Sequence, residues 1–264
     1  MRLEHSIQIN PFPIPLSIGT LKKPKLREIF DTSSGMSFEK FEQYELFLKM
    51  TPEYFYTKLK KDDGGIELWN SFTEKKRNEI KLYDILTEDK NLCDIYVEIF
   101  NFFFVENVVF KENLFVLLKK GTNDLSVDNV QGVIHSETFD TILDIICQIC
   151  CINNEKKSSD TLPFKNKLAK KLYERMQKAQ SSEKKNVENM NLTIPNIISS
   201  VSARHPSINY INIWDLTIFQ LLDNFNRMQV NSMYEINSTR ISVWGDEKKT
   251  FDAALWYKNH YDTK

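Results

Sequence analysis

The sequence predicts a mainly α protein, and three observations carry that prediction. Glycine is scarce, seven residues in 264, so the tight turns that sandwiches and barrels require are in short supply. Apolar residues recur at helical spacing through much of the chain. Strand-like alternation is confined to two short stretches, one near the N-terminus and one around Val109. The predicted architecture is a helical body with a short N-terminal β-hairpin-like segment and a small β-hairpin. A charged connector joins this body to a small helical C-terminal module. The bounds read from composition are 1–152 for the body, 153–190 for the connector and 191–264 for the module.

Residues 7–29 read as extended, because Pro11, Pro13 and Pro15 deny helix and Ser17-Ile-Gly-Thr20 offers a turn between alternating apolar positions. From Ser37 the period changes. Phe38, Phe41, Tyr44 and Leu48 share one helical face. Thr51-Pro52-Glu53 starts a second helix: threonine can cap, proline suits the first helical position, and the acid suits the positive helix end. That helix ends at Asp62-Asp-Gly-Gly65. Thr73 with Glu74 opens another, and Leu92, Tyr96, Ile99 and Phe103 mark a strongly apolar one. Val108–Phe110 and Leu114–Leu117 flank a turn at Lys111-Glu-Asn113, the signature of a hairpin. Ser136 is expected to cap a helix whose stripe is Phe139, Ile142, Leu143, Ile146, Ile149 and Cys150.

The charge is unevenly spread. Residues 1–154 hold 18 Lys/Arg against 24 Asp/Glu, residues 155–185 hold 10 against 4, and residues 191–264 hold seven of each. An acidic body, a basic connector and a neutral tail follow. Within the connector, Leu168, Leu172 and Met176 form a thin stripe that predicts a solvated or partly docked helix at 165–180. Lys165, Lys167, Lys170, Lys171, Arg175 and Lys178 could meet phosphates. Tyr173 is the lone aromatic among them, so single-strand stacking is poorly served, and pairing with the acidic body or a neighbouring copy competes with nucleic acid.

No stretch has the ~18–20 apolar residues of a membrane span, and the N-terminus lacks the unbroken apolar core of a signal peptide. Cys93, Cys147, Cys150 and Cys151 do not form a secreted disulfide framework, which points to a reducing cytoplasm. One CxxC pair lacks the second pair that a zinc site needs, and its cysteines read as small buried hydrophobes in an Ile-rich helix. The four histidines are dispersed, and His205 reads as a loop residue before Pro206. No phosphate-binding glycine loop and no nucleophile elbow occurs. The expectation is a protein without enzymatic activity, metal or cofactor.

The segment Ile211–Met228, INIWDLTIFQLLDNFNRM, carries the clearest local signal. Thr217-Ile-Phe-Gln220 fits the capping box, and Asp215 adds negative charge at the positive helix end. Ile218, Leu221, Leu222 and Phe225 make the apolar face. Trp214 is expected to pack on the helix start. With Trp244 and Trp256 it supplies large anchors for a small module. Trp244-Gly-Asp246 reads as a turn, and Phe251–Lys258 as a closing short helix.

The stretch His205–Asp223, HPSINYINIWDLTIFQLLD, resembles the C-terminal part of tail proteins from tailed phages and prophages of Gram-positive bacteria. Ser242-Val-Trp-Gly-Asp246, Phe251–Lys258 and Thr20–Ile29 are similar to the same group, whose members look like tail assembly chaperones. The shared plan is an aromatic–acid–x–Thr helix start, a mostly helical body and a join to a second module. The resemblance implies a chaperone in the cytoplasm of the infected host, binding tape measure protein and tail tube protein in multiple copies. Trp214, Asp215, Phe219, Leu222, Phe225, Trp244 and Trp256 are the candidate partner-binding residues. A structural component of the tail or baseplate, and a nucleic-acid-binding protein using the basic connector, are the alternatives.

Overall fold

The computed structural model describes residues 2–122, 124–152, 192–246 and 251–258. The protein is mainly α. The chain opens with α1 (His5–Ile9), the hairpin β1 (Ile14–Leu16) and β2 (Gly19–Leu21), and α2 (Leu26–Phe30). Next come α3 (Phe38–Leu48) and the short α4 (Pro52–Tyr54), which widens into a π-helical turn over Phe55–Leu59. Helices α5 (Gly65–Ser71), α6 (Glu74–Glu79), α7 (Leu82–Glu88) and α8 (Lys90–Phe103) follow. An antiparallel sheet of β3 (Asn107–Lys111), β4 (Leu114–Leu118) and β5 (Val130–Ile134) precedes α9 (Phe139–Ile149). After the connector lie α10 (Ile194–Arg204) and α11 (Ile218–Trp244).

Thr51 and Thr73 cap their helices as read from sequence, and Ser37 does the same for α3. Ser37 Oγ accepts from Lys40 N, Thr51 Oγ1 from Tyr54 N and Thr73 Oγ1 from Lys76 N. Each satisfies a backbone donor that a helix start leaves orphaned. The fully buried stripe of α8, Tyr96, Ile99, Phe100 and Phe103, forms the centre of the core. Phe100 meets Phe115 of β4 at 5.0 Å edge-on and Phe139 of α9 at 6.0 Å. The polar tips of the tyrosines are satisfied by main chain: Tyr96 Oη donates to Phe47 O at 2.7 Å, and Tyr83 Oη to Asn113 O at 2.6 Å. Asn101 staples the end of α8 to β3, donating to Val97 O and Val108 O and accepting from Val108 N. A residue that interrupts the apolar run in sequence is thus the clamp that turns helix into sheet.

The N-terminal hairpin is a hub. Lys22 N donates to Phe103 O at 2.7 Å and Val105 N to Thr20 O at 3.0 Å, which joins β2 to the end of α8. Leu26 N donates to Leu216 O at 2.9 Å, which joins α2 to the entry of α11. The hairpin also lies tightly on the sheet: a Cβ at Gly132 would fall 2.3 Å from Ile18 O, and one at Gly19 would fall 2.6 Å from Leu117 Cδ2. Lys23 is buried with its ammonium donating to Ile7 O, Asn10 O and Asn10 Oδ1. Burial pulls its pKa down to about 8, and the three acceptors tie α1 to the hairpin.

Several expectations need correction. Residues 7–29 are not all extended, since α1 and α2 flank the hairpin; the prolines act on Pro11–Pro15 and leave the turn before them free to coil. The second hairpin gains a third strand, β5, paired to β4 with Phe115 opposite Ile134. Ser136 does not cap α9. The N-cap is Thr138, whose hydroxyl turns back to His135 O and gives no side-chain cap. Phe251–Lys258 forms turns and no helix, whereas α11 runs 27 residues, to Trp244. The predicted helix at 165–180 lies outside the described residues.

Candidate functional site

Trp214 and Asp215 sit where α2 meets the entry of α11. The Thr217 capping box is formed: Thr217 Oγ1 accepts from Gln220 N at 3.3 Å, and Gln220 Oε1 accepts from Thr217 N at 3.0 Å. The free end of Gln220 donates to Ile9 O, which brings α1 onto α11. Asp215 is drawn to two cations, Arg27 at 2.6 Å and Lys25 at 3.5 Å. All three groups are about half exposed, and bridges of that kind contribute about 0–1 kcal/mol. Their effect here is to fix the direction of the Arg27 side chain.

The Trp214 indole donates to Tyr210 O at 2.9 Å, and its ring meets Phe30 edge-on at 5.6 Å. Phe30 in turn stacks on Phe38 at 4.9 Å. Phe30 and Trp214 together line a groove of about 430 Å³, rimmed by Arg27, Glu28 and Asp31. The rim charges are held by internal bonds. Glu28 accepts from Lys25 N at 2.8 Å. Hydrogen bonds from the side chain and backbone of Ser33 keep the Asp31 carboxyl below its ordinary range. The floor is apolar and aromatic and the rim carries both signs, a surface suited to an apolar side chain flanked by polar ones.

The remaining candidates scatter. Phe219 is buried and its ring lies 5.7 Å from that of His5. Leu222 and Phe225 are half-buried against the core. Trp244 is 80% exposed at the end of α11, and Trp256 is exposed, packed on Tyr257 at 5.0 Å. The expectation that these two tryptophans anchor a small module is therefore not met, because the helix that carries Trp244 runs past the residues that could bury it. Lys165, Lys167, Lys170, Lys171, Arg175 and Lys178 lie outside the described residues. Sequence reasoning missed Arg27, Lys25 and Phe30, whose pairing with Asp215 and Trp214 spans more than 180 residues of sequence. The Lys-rich hairpin exit did match the resemblance, and that was the one available signal.

The thiols and the imidazoles of His135 and His205 have structural occupations. All four cysteines are free, and burial raises the thiol of Cys93 to about 11 and that of Cys151 to about 12. Cys151 adopts a left-handed conformation (φ 56°), with Ile152 N donating to Cys147 O and Cys151 N to Gln148 O. That is the Schellman end of α9, formed without glycine. His205 Nδ1 accepts from Ser207 N and Ile208 N, and His135 Nδ1 from Glu137 N. Among the described residues, no three of His, Cys, Asp and Glu group as a metal site would require, and no helix is long and apolar enough to cross a membrane.

A second groove, of about 320 Å³, lies beside the π-helical turn, with Phe55, Tyr56 and Leu68 on its walls and the Lys60–Asp89 ion pair (3.1 Å) at its edge. Gly65 packs so closely on the widened turn that a Cβ would fall 2.3 Å from Tyr56 O.

No curated protein and no solved structure matches the chain. A family model does match in its C-terminal part: residues 173–261 fit the YomV second domain, about a third of the chain. The matched region holds α10, the Trp214 loop and α11, so the helix start that walls the groove lies in a stretch similar to a domain of YomV, a phage-associated (prophage) family.

Proposed function

We propose that the protein is a non-enzymatic phage tail morphogenesis factor, a tail assembly chaperone that holds tape measure protein in the host cytoplasm and brings tail tube subunits to it. The observation that carries this reading is the Phe30–Trp214 groove, open to solvent, to which the stretch similar to the YomV second domain contributes Trp214 and the N-terminal α2 region contributes the rest. A long helical partner presents apolar side chains at i, i+3 and i+4. One such side chain fits against the surface that the contacting Phe30 and Trp214 rings form together, and the polar residues beside it meet Arg27, Glu28 and Asp31, a helix-in-groove mode. Exposed Tyr210 and Ile211 extend the apolar surface next to Trp214. The groove offers no nucleophile and no paired acid and base, which fits binding without chemistry.

The test is a pull-down of the tagged chain from infected cells, with partners identified by mass spectrometry. Wild type recovers tape measure protein. Trp214→Ala, checked for an unchanged melting curve, recovers about tenfold less, since an aromatic wall of a pocket is worth at least ~1.4 kcal/mol. Stoichiometric presence of the chain in purified mature virions sinks the chaperone reading and supports a structural role in the tail or baseplate.

A further inference from the structure

The distal half of α11 carries a different surface. Beyond Met228 the helix presents Met233, Ile236, Val243 and Trp244, which are 57, 68, 65 and 80% exposed. At 3.6 residues per turn, Met233, Ile236, Arg240 and Val243 fall along one side, at spacings of three, four and three. This is a coiled-coil seam about three turns long, and its spacing reads the same in both directions. Only Glu235 and Arg240 carry charge between Met228 and Trp244.

This half is also a poor helix in its own right. Val230, Asn231, Ser232, Ile236, Asn237, Ser238, Thr239, Ile241, Ser242 and Val243 are all middling or weak helix formers. Helical stability in such a segment comes from packing of its apolar face. Among the described residues, contacts onto it are few and small: Arg204 donates to Ser232 Oγ at 2.6 Å, and Phe251 meets Tyr234 at 5.5 Å, on another side of the helix.

We propose that this face pairs with the same face of a second copy of the chain, antiparallel about a two-fold axis. In that register Met233 of one copy meets Val243 of the other, and Ile236 meets Arg240. The aliphatic stem of Arg240 covers Ile236 and its head stays in water, near Glu235 of the opposite copy. The four exposed apolar side chains bring roughly 500 Å² per copy, and the flanking Val230 and Arg240 stem carry that toward the about 800 Å² per partner of a standard interface. A nearly uncharged, palindromic seam matches a copy of itself. It offers a foreign partner little charge pattern by which to be selected. The pairing holds whether or not the Trp214 groove takes a tape measure helix.

Light scattering after size exclusion, at about 10–100 μM chain, tests the pairing. Wild type has twice the 31.1 kDa chain mass. Ile236→Glu combined with Val243→Glu has the chain mass, with unchanged melting when both are diluted to monomer. Under mild oxidation the double variant Met233→Cys/Val243→Cys forms a covalent dimer and neither single variant does; Cys93, Cys147 and Cys150 are buried, and the half-buried Cys151 is replaced by serine in all three. A monomeric wild type, a glutamate variant that remains dimeric, or crosslinking by Met233→Cys alone each overturns the proposal. So does recovery of the wild-type chain as a monomer with another protein seated on this face.

Discussion

From Ile218 to Phe225, α11 turns a stripe onto the body: Ile218, Phe219 and Leu221 are buried, and buried Asp223 is held by Arg227 at 3.2 Å. From Gln229 to Trp244 the same helix turns residues of similar apolar character into solvent. One continuous backbone thus joins a half whose helicity is secured by packing to a half whose helicity is inherited by propagation from it. The first half has a cap, an ion-paired entry and a covering helix, α1. Among the described residues, the second has a hydrogen bond from Arg204 at its start and a ring contact along its flank. Such an arrangement teaches that a long helix can be a fixed root with a presented end, and the variants below separate the two.

Truncation gives the sharpest contrast. Leu221 is fully buried, so Leu221→Ala removes apolar contact and leaves a cavity, at a cost of about 3 kcal/mol. Ile236→Ala, measured by urea unfolding at a chain concentration low enough to favour monomer, changes stability by less than about 0.5 kcal/mol. A loss above about 2 kcal/mol at Ile236 would mean that the distal face is covered within one chain, and the contrast would collapse.

The root of α11 was legible in sequence and its far end was not. Thr217-Ile-Phe-Gln220 specifies its own start because the capping box is local, closed within four residues. Nothing local marks the end until Gly245, and the thinning of the stripe into Asn and Ser after Met228 suggests an earlier stop than the chain makes. The same logic holds elsewhere. Helix α3 and the hairpin β3–β4 follow from short-range periodicity. Strand β5 does not, because Val-Gln-Gly-Val-Ile becomes a strand through pairing with β4 across a loop, and Gly132 is needed for an approach to Ile18 that only the fold reveals. The groove is the extreme case. Trp214 and Asp215 stand out in sequence, but the Phe30 wall and the Arg27 partner lie far upstream, and no spacing rule reaches that distance.

Gly132 offers the next largest effect. In Gly132→Ala the new Cβ would collide with the backbone of Ile18, which no rotamer change relieves, so the hairpin must move at a cost of about 2 kcal/mol. The hairpin exit holds the entry of α11 through Leu26 N and Leu216 O. Hydrogen exchange should therefore speed up at Leu26 and in the first turns of α11, with the distal half left at its already lower protection. Equal acceleration in both halves would show that they open as one unit.

Thr217→Ala removes the cap and leaves Gln220 N without its hydroxyl acceptor, for a loss of about 1 kcal/mol in chemical unfolding. Thr217→Ser keeps the oxygen and restores most of it. Because the cap sits at the root, helicity measured by circular dichroism at low temperature should hold in both variants. Loss of helical signal before global unfolding would place the distal half, and not the root, under the control of the cap.

The smallest effect has a sign that two opposing terms decide. Cys151 ends α9 in a left-handed conformation, which costs a side-chain-bearing residue about 1 kcal/mol and glycine almost nothing. Its thiol is half-buried and close enough to Asp223 of the α11 root for that carboxylate to help raise its pKa. Cys151→Gly gains the conformational term and loses part of a small side chain's packing. Glycine also spends more entropy on folding, which offsets some of the gain. The expected outcome is a stabilisation of about 0.5 kcal/mol, seen as a modest rise in melting temperature. Cys151→Ala isolates the packing loss, since alanine keeps the strain and discards the sulfur. If the glycine variant is instead less stable than wild type, contact between the end of α9 and the root of α11 outweighs backbone strain, and the root is held from that side as well as by α1.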